Sequence, residues 1–119
     1  MTDLTDVEVV RGALVLLCRN PDMRITGRAL DTANRWKPYS VRHPQTDMVF
    51  TDAGAWEYIA DMIQEGSRLT CLPPTVQMPD HAYYLIEGRA EGRRIYMKVA
   101  IRPPLRKIIG LSFHYEDPR

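Results

Sequence analysis

Val10, Ala13, Leu14 and Leu17 recur at the spacing of one helix face, which predicts a first helix over about Asp6–Arg19. Thr5 and Glu8 stand three apart at its start, a capping box in which each side chain satisfies a backbone N–H. Asn20-Pro21 ends it, because proline disfavours helical geometry in the residue before it. A second helix is predicted after Thr26, with Ala29, Leu30, Ala33 and Trp36 turned inward and Pro38 as its stop. Residues 38–50 read as a loop holding one short strand, Met48–Phe50. A third helix follows, capped by Thr51 or Asp52 and striped by Trp56, Ile59, Ala60 and Ile63. Gly66 fits the left-handed residue just past its end. Cys71–Met78 holds two prolines and reads as loop.

Beyond residue 80 the apolar period changes from helical to two. Strands are expected over His81–Glu87, Arg93–Arg102 and Lys107–Tyr115, with turns at Gly88–Gly92 and Pro103-Pro104-Leu105 and a frayed Asp117-Pro118-Arg119 end. Helices in one half and a meander in the other predict an α+β fold, with N-terminal helices packed on one face of a C-terminal antiparallel sheet of three or more strands. The chain has 119 residues, enough for one domain with its own core.

Alternation on the second strand sets Ile95, Met97, Val99 and Ile101 on one side and Arg94, Tyr96, Lys98 and Ala100 on the other. On the third strand Ile109, Leu111, Phe113 and Tyr115 form the apolar set, opposed by Ile108, Gly110, Ser112 and His114. If both apolar sets face the helices, a tight turn near Leu105 puts Tyr96 beside His114 and Lys98 beside Ser112, give or take a two-residue step. The first strand adds either His81 and Tyr83, or Ala82, Tyr84 and Ile86, since a bulge near the turn leaves its parity open.

Composition sharpens this picture at one place. The net charge of +1 divides into 10 acids against 7 bases over Met1–Gly66 and 5 acids against 9 bases over Ser67–Arg119. Arg89–Lys107 alone holds seven bases and one acid, Glu91. Such a local excess attracts a polyanion, and it also serves as ordinary protection of strand edges. Cys18 and Cys71, the only cysteines, suggest neither a disulfide framework nor zinc and suit a reducing compartment. Met1 leads into a stretch with no basic region, so no signal peptide is expected, and the longest apolar run, Ala13–Cys18, is too short for a membrane span. A cytoplasmic location is the expectation.

The expected sheet face carries groups suited to cutting RNA without a metal or cofactor. The reaction needs a base for the 2′-OH, cations for the charge at phosphorus and an acid for the 5′-oxygen. His114 has the side-chain type that titrates near neutrality, Lys98 and Arg94 can hold phosphate, and Tyr96 can donate a proton or stack on a base. Each also reads as surface or packing. His43 sits in a polar loop, Trp36, Trp56 and Cys18 read as core, and Cys71 has no partner that would make it a nucleophile.

Gly92-Arg93-Arg94-Ile95-Tyr96-Met97-Lys98-Val99 and Ile108-Ile109-Gly110-Leu111-Ser112-Phe113-His114 resemble the end of MqsR-type toxins, where a glycine-led strand with Tyr-x-Lys-Val precedes an apolar strand ending in Ser-Phe and a basic residue. Arg24-Ile25-Thr26-Gly27-Arg28-Ala29-Leu30 resembles the Thr/Arg-rich entry to that family's second helix. The resemblance implies a RelE-like fold, metal-independent cleavage of messenger RNA and a neutralising antitoxin partner. It sets the family's catalytic tyrosine on Tyr96, its C-terminal lysine on His114, a mid-chain lysine near Arg68 and a glutamine near Asp80, where an acid would repel phosphate. Tyr96, His114 and Lys98 are then the catalytic candidates, and Arg68, Arg93, Arg94 and Arg102 the RNA-binding ones. Two other classes fit the same face: a non-catalytic nucleic-acid-binding module, and an antitoxin- or immunity-like interaction domain pairing through a strand edge.

Overall fold

The computed structural model describes residues 7–26, 35–72, 82–90, 93–101 and 107–115. These form an α+β fold of two helices, α1 (Val7–Arg19) and α2 (Asp52–Gln64), and a mixed sheet of β1 (Arg24–Thr26), β2 (Arg35–Trp36), β3 (Leu69–Leu72), β4 (Ala82–Ala90), β5 (Arg93–Ile101) and β6 (Ile108–Tyr115). The strand order is β1-β6-β5-β4-β3, and β2 pairs with β6 beyond β1. Strands β3 to β6 pair antiparallel, while β1 and β2 run parallel to β6.

Helix α2 forms as its sequence predicts. The Thr51 hydroxyl accepts from Gly54 N at 2.9 Å. Trp56, Ile59, Ala60 and Ile63 are buried, and Gly66 follows with φ 95°, a conformation glycine adopts without strain. In α1, Val10, Leu14, Leu17 and Cys18 are buried. Its expected capping residue Thr5 lies outside the described residues. Arg19 reaches across to Glu57, Asp61 and Gln64 of α2, and Arg11 donates to Ile63 O at 3.1 Å. Residues of both helices share one core cluster with Ile86, Ile95, Met97, Val99, Ile108 and Phe113 of the sheet. That side is called the inner face here, and the other the outer face.

Several expectations are corrected. The predicted second helix cannot include Trp36, because Arg35–Trp36 pairs with Ser112 and Phe113 of β6 (residues 27–34 lie outside the described residues). The open edge of β6 requires hydrogen-bond partners, and strand pairing there outweighs a short run at helical spacing. Trp36 still packs inward, with its ring centroid 4.9 Å from Trp56. Second, the stretch expected as loop from Cys71 begins inside β3; Pro73 and Pro74 follow the strand instead of interrupting it. Third, β4 runs on through Ala90. Gly88 is a strand residue over which Tyr58 packs, so closely that a Cβ there would lie 2.9 Å from the Tyr58 hydroxyl. Fourth, the alternation of β6 breaks at a register shift between Lys98 and Val99 of β5. One extra β6 residue reverses the parity, so Ile108 joins the inner core while Ile109 and Leu111 join Tyr83 and Ala100 in a second cluster.

The expected strand Met48–Phe50 reduces to an isolated bridge, Arg42 to Val49. The turn at Pro103-Pro104-Leu105 and the end at Asp117-Pro118-Arg119 lie outside the described residues. Among the described residues no helix is long and apolar enough to cross a membrane.

Candidate functional site

Strand pairing dictates which side chains meet on the outer face. Tyr96 stands opposite His114, and Lys98 opposite Ser112, before the register shift. The Tyr96 and His114 rings stack, with centroids 5.4 Å apart and planes inclined by 24°. On the other side of β5, Glu87 stands opposite Tyr96 and Leu85 opposite Lys98. The parity of β4 is thus settled: Tyr83, Leu85 and Glu87 share the outer face, while Tyr84 and Ile86 belong to the inner core.

The result is a row, Glu87–Tyr96–His114, that crosses three adjacent strands, with Lys98 and Ser112 in the next row. Glu87, Tyr96, Lys98 and His114 are half-buried, and Arg94 is exposed at the start of β5. Tyr83, Ala100, Ile109 and Leu111 are buried and close the face at its other end. Ser112 is buried, only 3% exposed.

The His114 ring is oriented by its own chain. Its Nδ1 lies 2.6 Å from the carbonyl oxygen of Tyr115. A carbonyl only accepts, so this hydrogen bond requires the proton on Nδ1 and leaves Nε2 as the nitrogen that takes up or releases a proton.

The basic stretch disperses over the molecule. Arg93 belongs to the inner side, with its guanidinium carbon 3.9 Å from the centre of the Tyr115 ring. It therefore does not join Arg94 and Lys98 on the outer face. Side chains alternate along a strand, and neighbours in sequence cannot share a face. Lys107 donates to Asp22 O at 2.7 Å and tethers the start of β6 to the turn before β1. Arg68 is exposed one residue before β3, just past the Leu69–Ile86 pair and so at the level of Glu87. Arg102, Asp80 and His81 lie outside the described residues.

Other titratable groups serve the core. Burial pushes the Cys18 thiol up to about 12, against the opposing influence of Arg24 and Arg19. Burial also raises Tyr58, with Glu65 and Asp61 adding to it, and raises Tyr84. His43 accepts from Gln45 N at 3.1 Å and packs on Phe50 and Tyr58, which is a structural role. Cys71 is exposed on β3. Among the described residues no three or more His, Cys, Asp or Glu gather as a metal site.

Glu87 is the residue that sequence reasoning missed. Gly88–Gly92 looked like a five-residue turn. In the structure Ala90 pairs with Arg93, leaving only two residues between partners, the length of a tight hairpin. Pairing Ala90 with Arg93 fixes the parity of β4 and puts Glu87 opposite Tyr96.

Comparison of the chain with protein-family models, with curated proteins and with solved structures found no match to any of them.

Proposed function

We propose that this chain is a metal-independent endoribonuclease of the toxin kind, acting on messenger RNA in the cytoplasm and held in check by an antitoxin protein. In this reading the fold is RelE-like, with the helices layered on the inner face and RNA bound on the outer one. The stacked Tyr96–His114 pair, with Lys98 in the adjacent row, is the observation that carries it. Three chemically different groups, a phenol, an imidazole and an ammonium, converge on one half-buried surface. Cross-strand neighbours lie about 5 Å apart, so one phosphodiester can touch all three. His114 supplies proton transfer through Nε2, Lys98 and Arg94 hold phosphate, Arg68 approaches from the β3 side, and Tyr96 binds or protonates a phosphate oxygen. The MqsR-like motif on β5 and β6 supports the same assignment.

The test is cleavage of a defined single-stranded RNA by the purified protein in excess EDTA, beside Tyr96→Phe and His114→Ala. Cleavage leaving 2′,3′-cyclic phosphate ends, reduced at least ~100-fold in both variants, is the expected result. Salt-sensitive binding without cleavage would instead make the outer face a binding module, and neither binding nor cleavage would favour a protein-interaction domain.

A further inference from the structure

A carboxylate beside a phosphate-binding face is unfavourable unless it has work to do there. Glu87 is held in that position by backbone pairing on both flanks of β5, directly across from Tyr96 and two strands from His114. Along β4 its outer-face neighbours are Leu85 and, beyond it, Tyr83, while Arg68 stands at its level on the β3 side and Lys98 in the next row of β5.

We infer that Glu87 is the general base of the RNA cleavage proposed above, and His114 its general acid. This inference rests on the ribonuclease reading and names the residue that starts the reaction. In-line attack sets the entering 2′-oxygen and the leaving 5′-oxygen on opposite sides of phosphorus. Base and acid must therefore stand apart, separated by two hydrogen bonds of about 3 Å each and the phosphorus group between them. Two strand spacings of about 4.8 Å supply a separation of that size. Tyr96 and His114 alone, stacked in contact on adjacent strands, do not span it. With Glu87 added, the phosphate sits over Tyr96, whose hydroxyl donates to a non-bridging oxygen, and Lys98 faces the same phosphate from the next row.

The step balances without any further reactant. The Glu87 carboxylate takes the proton of the 2′-OH as the 2′-oxygen bonds to phosphorus. The bond from phosphorus to the 5′-oxygen breaks, and His114, protonated on both ring nitrogens, passes the Nε2 proton to that oxygen. Its Nδ1–H remains bonded to the Tyr115 carbonyl throughout. The products are a 2′,3′-cyclic phosphate and a 5′-hydroxyl.

The experiment compares wild type, Glu87→Gln, Glu87→Asp and His114→Ala on two RNAs of one sequence: an ordinary one, and one with sulfur replacing the bridging 5′-oxygen at the cut site. A thiolate leaves without protonation. The expected result is that His114→Ala loses at least ~100-fold on the ordinary RNA and recovers most of it on the sulfur RNA. Glu87→Gln loses a similar factor on both, binds RNA at least as tightly as wild type, keeps its thermal melting, and loses the limb of the pH–rate profile that rises as the base ionises. Glu87→Asp retains part of the rate. A wild-type rate, or a faster one, in Glu87→Gln would show that the carboxylate merely repels phosphate and would overturn the inference while leaving the ribonuclease reading intact. A wild type inactive on both RNAs would overturn both.

Discussion

Gly110 has no room for a side chain. A Cβ there would lie 2.6 Å from Cζ3 of Trp36, which covers it from β2. Gly110→Ala is therefore expected to destabilise the fold by about 1–3 kcal/mol through overpacking. Gly12, in the middle of α1, has nothing within 4 Å of such an atom, and Gly12→Ala should stabilise by roughly 1 kcal/mol through helix propensity alone. Urea unfolding of the two variants beside wild type measures both, and equal effects would contradict this packing of Trp36. Cys18 gives a pH prediction. Its folded pKa of about 12 lies above the unfolded value near 9, so the unfolded chain loses this proton first. The stability it contributes is complete below about pH 9 and is lost as pH climbs toward 12. Cys18→Ala should flatten the stability profile across that window, and in native protein at pH 8 only Cys71 should react with iodoacetamide. These residue-scale facts differ in how well a sequence reveals them. That Cys18 is core follows from its helix stripe, whereas the contact between Gly110 and Trp36 joins positions 74 apart and has no local signature.

Elements with many local contacts were legible, and those that exist only through distant pairing were not. Helix α2 carries its whole specification within itself: a capping threonine, a four-residue apolar stripe and a terminal glycine. Thr51→Ala should accordingly cost about 1 kcal/mol, read by thermal or urea melting, and Thr51→Ser should restore nearly all of it. The pairing of Tyr96 with His114 and Lys98 with Ser112 was likewise visible, because two long strands with clear alternation admit one parity. Strands β1, β2 and β3 have two to four residues each, too few to show a period, and they form because β6 and β4 offer edges to pair with. The register shift in β6 was hidden for a related reason. Ile108 through Leu111 contains three apolar residues and a glycine, a pattern compatible with either parity. Ile108, Ile109 and Leu111, beyond the shift, face opposite to the expectation in consequence, while Tyr96, Lys98 and His114, before it, share one face as expected.

At the scale of the whole molecule, folding divides one run of basic sequence into separate surfaces, and this makes the RNA-binding reading testable without any cleavage. Arg94 and Lys98 belong to the outer face and Arg68 stands at its edge, whereas Arg93 lies against Tyr115 on the other side and Lys107 is bonded to the Asp22 carbonyl. Binding of single-stranded RNA releases about 0.7 counterion per phosphate neutralised, so the three cations placed there among the described residues contribute about −2 to the slope of log affinity against log salt. Lys98→Ala should make that slope shallower by about 0.7. Arg93→Ala removes the same charge from the same strand, one position out of phase, and should leave the slope unchanged. Fluorescence anisotropy with a labelled single-stranded RNA over a series of salt concentrations measures both. Matching losses in the two variants would mean that RNA is attracted by the basic segment as a whole, with no preference between faces. A loss confined to Lys98→Ala would locate the polyanion on the face where Glu87, Tyr96 and His114 stand in one row, which is where the chemistry proposed for them requires it to be.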